Sequence, residues 1–195
     1  MSKGTLLGHI ISKSEIKVEP ERVKTITQIP FLVNKKAIQS FLEKINFLRN
    51  FIFNYAQIVK PLQEMINKDF VFKWDKMEKD VFTCNKQSIT ISLALYKPYY
   101  GKDFLLHTLA SNASITFILT QKESEINEQP IYFMSVGLQG SELNYPAIDK
   151  QAYASYKVVK NLNPYILKSH MIIYVPHLAA RTLFLHHELG EKVVN

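Results

Sequence analysis

Phe104-Leu105-Leu106-His107-Thr108-Leu109-Ala110-Ser111-Asn112-Ala113-Ser114-Ile115-Thr116-Phe117-Ile118-Leu119-Thr120 decides the architecture of the second half of this chain. Two apolar runs, Phe104 to Leu109 and Ile115 to Thr120, are too short for helices of normal length. They are rich in β-branched and aromatic residues and are separated by turn formers, so they read as two strands joined by a tight connection. Ile131 to Ser135 is a third such run, and Glu125-Ile126-Asn127 with Pro130 supplies the punctuation before it. The pattern then changes period. Ile148 to about Lys160 reads as a long helix, Met171 to Val175 as a fourth strand, and His177 to Leu185 as a short helix. The order is βββαβα, an α+β or α/β arrangement with a mixed sheet.

Upstream, Leu6 to Val18 holds two short apolar runs around a polar centre and predicts a β-hairpin turning near Lys13-Ser14. Pro20 suits the first position of a helix, flanked by Glu19 and Glu21 at its positive end, and Pro30 stops the chain from continuing it beyond about Gln28. Asn34 is placed to cap the strongest helix, whose apolar residues Ile38, Phe41, Leu42, Ile45, Leu48 and Ile52 recur at three- and four-residue steps. A further helical pattern from Tyr55 to Ile66 is interrupted by Pro61. Asp75 followed by Glu78 approximates a capping box opening a helix to about Ser88. The expected division is a hairpin and small helical bundle over 1–66 and the βββαβα module over 67–195.

Composition narrows the function classes. The chain has 195 residues, 47% of them hydrophobic, which is enough for one or two cores. A single cysteine, Cys84, read as a packed helix residue, excludes an internal disulfide and fits a reducing compartment. No secretory leader and no stretch able to span a membrane is visible, so an intracellular protein with no membrane partner is expected. The net charge of +7 is compatible with nucleic acid.

Several stretches resemble the polymerase of gypsy-type LTR retrotransposons and retroviruses. Leu7-Gly8-His9-Ile10-Ile11-Ser12-Lys13 resembles the hairpin that grips the primer end. Ile16 to Val23 resembles the lead into the thumb, and Ile38-Gln39-Ser40-Phe41-Leu42 with Asn46 to Ile52 resembles the thumb itself. Ile58-Val59-Lys60-Pro61-Leu62 and Phe72-Lys73-Trp74 match the segment that follows. Leu119-Thr120-Gln121, Gln129 to Ser135 and Glu142-Leu143-Asn144-Tyr145 match the ribonuclease H domain beyond. The resemblance implies a thumb-like segment followed by a ribonuclease H-like domain, C-terminally truncated, with the polymerase's own catalytic aspartates lying upstream of these residues.

The departures are as informative. Where the family keeps catalytic carboxylates, this chain has Leu109 in Thr108-Leu109-Ala110-Ser111, Gln151 in Asp149-Lys150-Gln151-Ala152, and Pro176 in Val175-Pro176-His177. Family chemistry uses magnesium held by those acids, and hydrocarbon or carboxamide groups do not replace them as ligands of a hard dication. The expectation is therefore a pol polyprotein region without cofactor or nuclease activity. Asp149 points about 200° away from Gln151 on a helix; Asp103 precedes the first strand; Glu142 is acidic in the family outside the catalytic set. His177, His186 and His187 lack a convergent third ligand. The resemblance makes Gly8, His9, Lys35, Lys36, Gln39, Lys44 and Arg49 candidates for contact with an RNA–DNA hybrid or duplex, with the rest of the polyprotein as a second partner. The alternatives are an active metal-dependent ribonuclease H with a rearranged site, a domesticated protein-interaction module, and a genomic remnant.

Overall fold

The computed structural model describes residues 3–67, 75–91, 94–166 and 169–174. Two compact units emerge, residues 1–97 and 98–195.

Unit 1 opens with three short antiparallel strands, β1 (Gly4–Leu6), β2 (His9–Ile11) and β3 (Glu15–Val18). The β1–β2 connection is only Leu7-Gly8, both with positive φ (50° and 78°). Two consecutive residues in that region match the twist of the flanking strands, and glycine takes it without strain. The expected turn near Lys13-Ser14 joins β2 to β3, so the hairpin is real but is two strands of a larger sheet. Its fourth strand, β4 (Ala94–Tyr96), pairs with β3 in the register Ile16↔Leu95.

The helices follow the expected apolar spacing. Helix α1 (Pro20–Thr27) has Pro20 at its start and buries Val23 and Ile26. Helix α2 (Lys35–Asn46) is capped by the Asn34 side chain, which accepts from the Ala37 N–H at 2.8 Å, and buries Ile38, Phe41 and Ile45. It ends earlier than the periodicity suggests: Leu48, Phe51 and Ile52 are buried from a series of turns, with Leu48 N–H donating to Ile45 O and Phe51 N–H to Leu48 O. Turns of three residues return the chain to the same side almost as a helix does, which is why spacing alone does not distinguish them. Helix α3 (Tyr55–Ile66) runs through Pro61 uninterrupted. Burial of Tyr55, Val59, Leu62 and Met65 along one stripe, at about 1.5–3 kcal/mol per large apolar side chain, offsets the roughly 3 kcal/mol that an interior proline costs. Helix α4 (Lys76–Ile91) begins as expected, with the Asp75 N–H donating to Glu78 Oε2 at 3.1 Å. It packs on α3 and α1. With β4 paired to β3, this carries the unit past the expected boundary near 66 to residue 97. Cys84 on α4 is exposed rather than packed.

Unit 2 contains β5 (Phe104–Ala110), β6 (Ser114–Lys122), β7 (Glu128–Gly137), a 3-10 turn (Gly140–Asn144), α5 (Ala147–Ile166) and β8 (Met171–Tyr174). The sheet order is β7-β6-β5-β8, antiparallel except for the parallel β5–β8 pair. This is the expected mixed βββαβ arrangement. Phe104, Leu106, Ile115, Phe117 and Leu119 are fully buried. Ala154 of α5 packs against Ile115 and Ala110, so α5 covers the face on which the even-numbered residues of β5 lie. Phe72-Lys73-Trp74, Pro176, His177, His186, His187 and the short helix expected over 177–185 lie outside the described residues.

Candidate functional site

Strand alternation fixes what each expected site position can do. Leu109 is the odd-numbered neighbour of two residues that face α5, so its side chain emerges on the opposite face of the sheet. It is 44% exposed there and carries no donor or acceptor. Gln151 lies in the second turn of α5 and is buried. Its carboxamide is committed on both sides: Nε2 donates to Thr108 O at 3.2 Å and to Thr108 Oγ1 at 2.5 Å, while Oε1 accepts from the Ala110 N–H at 3.1 Å. The Thr108 hydroxyl in turn reaches Tyr174 O of β8 at 3.5 Å. A neutral hydrogen-bond relay thus links α5, β5 and β8, two residues short of Pro176. Leu109 and Gln151 do not converge: Gln151 grips the backbone on either side of Leu109 and never meets its side chain.

The other acids do not join Leu109 and Gln151 in a site. Asp149 is exposed, on a different side of α5 from Gln151. Asp103 lies 3.2 Å from His170 Nδ1. Glu142 accepts a short hydrogen bond from the Tyr153 hydroxyl and one from the Gln139 N–H at 3.0 Å. These hold its carboxyl below the usual carboxylate range, the tyrosine foremost. Among the described residues, no group of three His, Cys, Asp or Glu stands close enough to hold a metal ion.

A polar cluster that sequence reasoning missed lies on the outer face of the same sheet. Glu128 Oε2 accepts from Thr120 Oγ1 at 2.6 Å and lies 2.8 Å from His107 Nε2, whose ring stacks on Tyr174 at 4.7 Å. The Thr120 hydroxyl, and after it His107, hold Glu128 below the usual carboxylate range. The parity of His107 on β5 was the available signal, but its partners come from β6, β7 and β8.

In unit 1, Gly8 and His9 are built into a packed node. The His9 ring lies 4.3 Å from the Phe47 ring and 5.2 Å from Phe51, and the Arg22 guanidinium sits 4.0 Å over Phe47. Burial lowers the His9 pKa first, a hydrogen bond to the Leu6 backbone opposes this, and the charge of Arg22 lowers it again. Gly8 leaves room for Arg22: a Cβ there would stand 2.2 Å from Nη1.

The candidate cations are not one stripe. Lys35 and Lys44 lie about 180° apart around α2. Lys35 is half-buried, donating to Asn67 O at 2.5 Å. Lys36 and Gln39 are exposed on the side opposite the core, where Gln39 Nε2 donates to Glu43 Oε1 at 3.3 Å. Arg49 is exposed in the turns after α2 and opposes the burial that pushes the Tyr55 hydroxyl up to about 12.

Residues 74–173 match the family described as the RNase H-like domain found in reverse transcriptase. The chain belongs to that family. Its relatives include the retrovirus-related Pol polyprotein from transposon 297 of Drosophila melanogaster, 34% identical over 192 residues. That match covers 98% of this chain and 18% of the relative. The Tf2-3 polyprotein of Schizosaccharomyces pombe is 27% identical over 165 residues, covering 85% of this chain and 12% of the relative. The chain therefore spans less than a fifth of the length of these relatives. This reverse transcriptase RNase H-like domain and the unit before it share their fold with the foamy viral protease-reverse transcriptase. The structure in complex with dsDNA matches with a TM-score of 0.76 and 21% identity, over 100% of this chain and 40% of that one. The structure in complex with RNA/DNA hybrid gives 0.75 and 21%, over 99% and 26%. The family match begins at 74, within the first compact unit, so family boundary and packing boundary differ: α4 is matched with the RNase H-like domain but packs on α3 and α1.

Proposed function

We propose that this reverse transcriptase region holds RNA–DNA hybrid or duplex without cutting it. The observation that carries the reading is the commitment of Gln151. At a position where the family resemblance places a carboxylate, a neutral carboxamide uses both its ends on Thr108 and Ala110. Leu109 offers only hydrocarbon. A hard dication needs several oxygen ligands, preferably anionic, and this donor set does not fit one. No catalytic step through a metal follows from these residues, and the domain is proposed to carry no resident magnesium.

Binding is supported by the net charge of +7 and by the exposed Lys36, Gln39, Lys44 and Arg49. The foamy viral enzyme of the same fold is seen with dsDNA and with RNA/DNA hybrid. Because the cations are spread around α2, contact would run along the phosphate backbone and be blind to sequence. Gly8 and His9 would act on a primer end only through the hairpin they shape. The natural setting of such a region is a Pol polyprotein working inside the cell, with the rest of that polyprotein as its partner.

The test is a labelled RNA–DNA hybrid incubated with the chain in magnesium or manganese, with binding read in parallel across salt. Salt-sensitive binding with no product is expected. Cleavage abolished by EDTA would overturn the reading and favour a rearranged metal site.

A further inference from the structure

The segment Pro98 to Asp103 stands immediately before β5 and carries two tyrosines in water. Tyr99 is 66% exposed and Tyr100 59%. Unsupported, such a loop would fold its rings onto nearby apolar surface. Gln121 of β6 prevents this. Its side chain is buried, its Oε1 accepts from the Tyr99 N–H at 2.9 Å, and its Nε2 donates to Tyr99 O at 2.8 Å and Lys102 O at 3.1 Å. Three hydrogen bonds from one rigid carboxamide fix the loop backbone.

Each ring has a close neighbour as well. Gly101 lies against Tyr99 so closely that a Cβ would stand 2.8 Å from its ring, and Tyr100 meets Phe104 edge-on with centroids 6.1 Å apart. Cations flank them. Lys102 Nζ donates to Lys122 O at 3.2 Å, which brings its ammonium to the end of β6 beside the exposed Lys122. Of the nearby acids, Asp103 is engaged with His170 and Glu123 with the Asn127 amide. Glu128, paired across the strands with Lys122 and feeling its charge, has its carboxylate bonded to Thr120 and His107.

Exposed tyrosines on a braced loop suit either a protein partner or nucleobases, and the lysines decide between them. Lysine is depleted in protein interfaces, whereas surfaces for single-stranded nucleic acid pair aromatic faces with cations that follow the phosphates. We propose that loop 98–102 and the end of β6 form a platform for single-stranded RNA or DNA. Tyr99 and Tyr100 stack on unpaired bases, and Lys102 and Lys122 meet the flanking phosphates. This surface is separate from hybrid binding, because a blunt hybrid offers no unstacked base.

The experiment is fluorescence anisotropy on the full chain with three probes: labelled oligothymidylate, an abasic oligonucleotide of equal length, and a blunt RNA–DNA hybrid. The Tyr99→Ala/Tyr100→Ala variant should bind oligothymidylate about thirtyfold more weakly or worse, in line with the stacking contribution of two bases. Tyr99→Phe/Tyr100→Phe should bind like the parent, and the abasic probe should bind the parent as weakly as oligothymidylate binds the alanine variant. Lys102→Ala/Lys122→Ala should flatten the salt dependence for oligothymidylate. Hybrid binding should be unchanged in the tyrosine variants. Equal binding of oligothymidylate by parent and alanine variant, loss in the phenylalanine variant, or equal binding of the abasic probe would each overturn the platform. Hybrid binding absent while these oligothymidylate results hold would sink the hybrid reading and leave the platform standing.

Discussion

The Gln151 side-chain nitrogen on α5 donates to the Thr108 hydroxyl on β5 at 2.5 Å, and that hydroxyl has the Tyr174 carbonyl of β8 on its other side. The arrangement needs a donor at position 151. In Gln151→Glu an ionised carboxylate would face the Thr108 carbonyl with no proton to give, and could keep the Thr108 hydroxyl only by drawing its proton away from Tyr174 O. Burial without a cation should cost about 3 kcal/mol at neutral pH. Part of that loss should return in mild acid, as the buried carboxyl takes up a proton and can donate again. Urea unfolding at pH 7 and pH 5 checks this. A Gln151→Glu variant as stable as the parent, and further stabilised by magnesium, would show a site ready for metal.

Gly8 is held at φ +78° with Arg22 where a Cβ would stand. Gly8→Ala should lose about 1–3 kcal/mol through backbone strain and displacement of the guanidinium from Phe47. Thermal unfolding measures the loss, and an unshifted Tm would show that the Leu7-Gly8 turn relaxes freely.

Burial against Phe47 and Phe51 lowers the His9 pKa from its ordinary value. Its folded pKa lies below the unfolded value of about 6.5, so the unfolded chain binds the proton more readily. The stability it contributes is present above about pH 6.5 and is lost as pH falls through the folded value. Tm should therefore decline from pH 7 toward pH 5, and His9→Phe, which keeps a ring and removes the titration, should flatten that decline. Glu128, also lowered, acts in a more acid window: its contribution is present above the ordinary glutamate range and fades below it. Glu128→Gln should leave the decline between pH 7 and 5 intact, and a variant that removed it would reassign the effect.

Lys35 and Lys44 stand on opposite flanks of α2, with Glu43 on the exposed side between them. If hybrid binding uses this helix, one flank contributes more than the other. Neutralising a lysine that touches phosphate should lower the slope of log affinity against log salt by about one, and neutralising one that does not should leave it unchanged. Separate Lys35→Ala and Lys44→Ala variants, titrated across salt, identify the working flank. Unchanged slopes in both would move the interface off α2.

Much of the fold was legible because apolar spacing reports which side of an element is buried. That information placed β5, β6, β7 and α5, the Asn34 cap and the start at Pro20. It failed where different backbones bury the same positions: Leu48 and Ile52 keep helical spacing but come from turns, and Pro61 looks like a break although the stripe around it is deep enough to carry it. Strand β4 was missed because three residues carry no period, and the unit boundary moved with it. At the site, the residue types at 109 and 151 were legible, but their bonding was not. Only the third dimension shows that Gln151 serves Thr108 and Ala110, or that Gln121 braces a loop 19 to 22 positions earlier in the chain.

The parallel pairing of β5 with β8 has a consequence for synthesis. Strand β5 is central in the finished sheet, yet its second neighbour is translated only after β6, β7 and all of α5. Until then this largely apolar strand presents a bare edge of backbone donors and acceptors, which invites pairing with other nascent chains. Its misfolding hazard is thus concentrated in the interval between translation of Ala110 and translation of Met171, and a chain that stalls in that interval should be the one that aggregates.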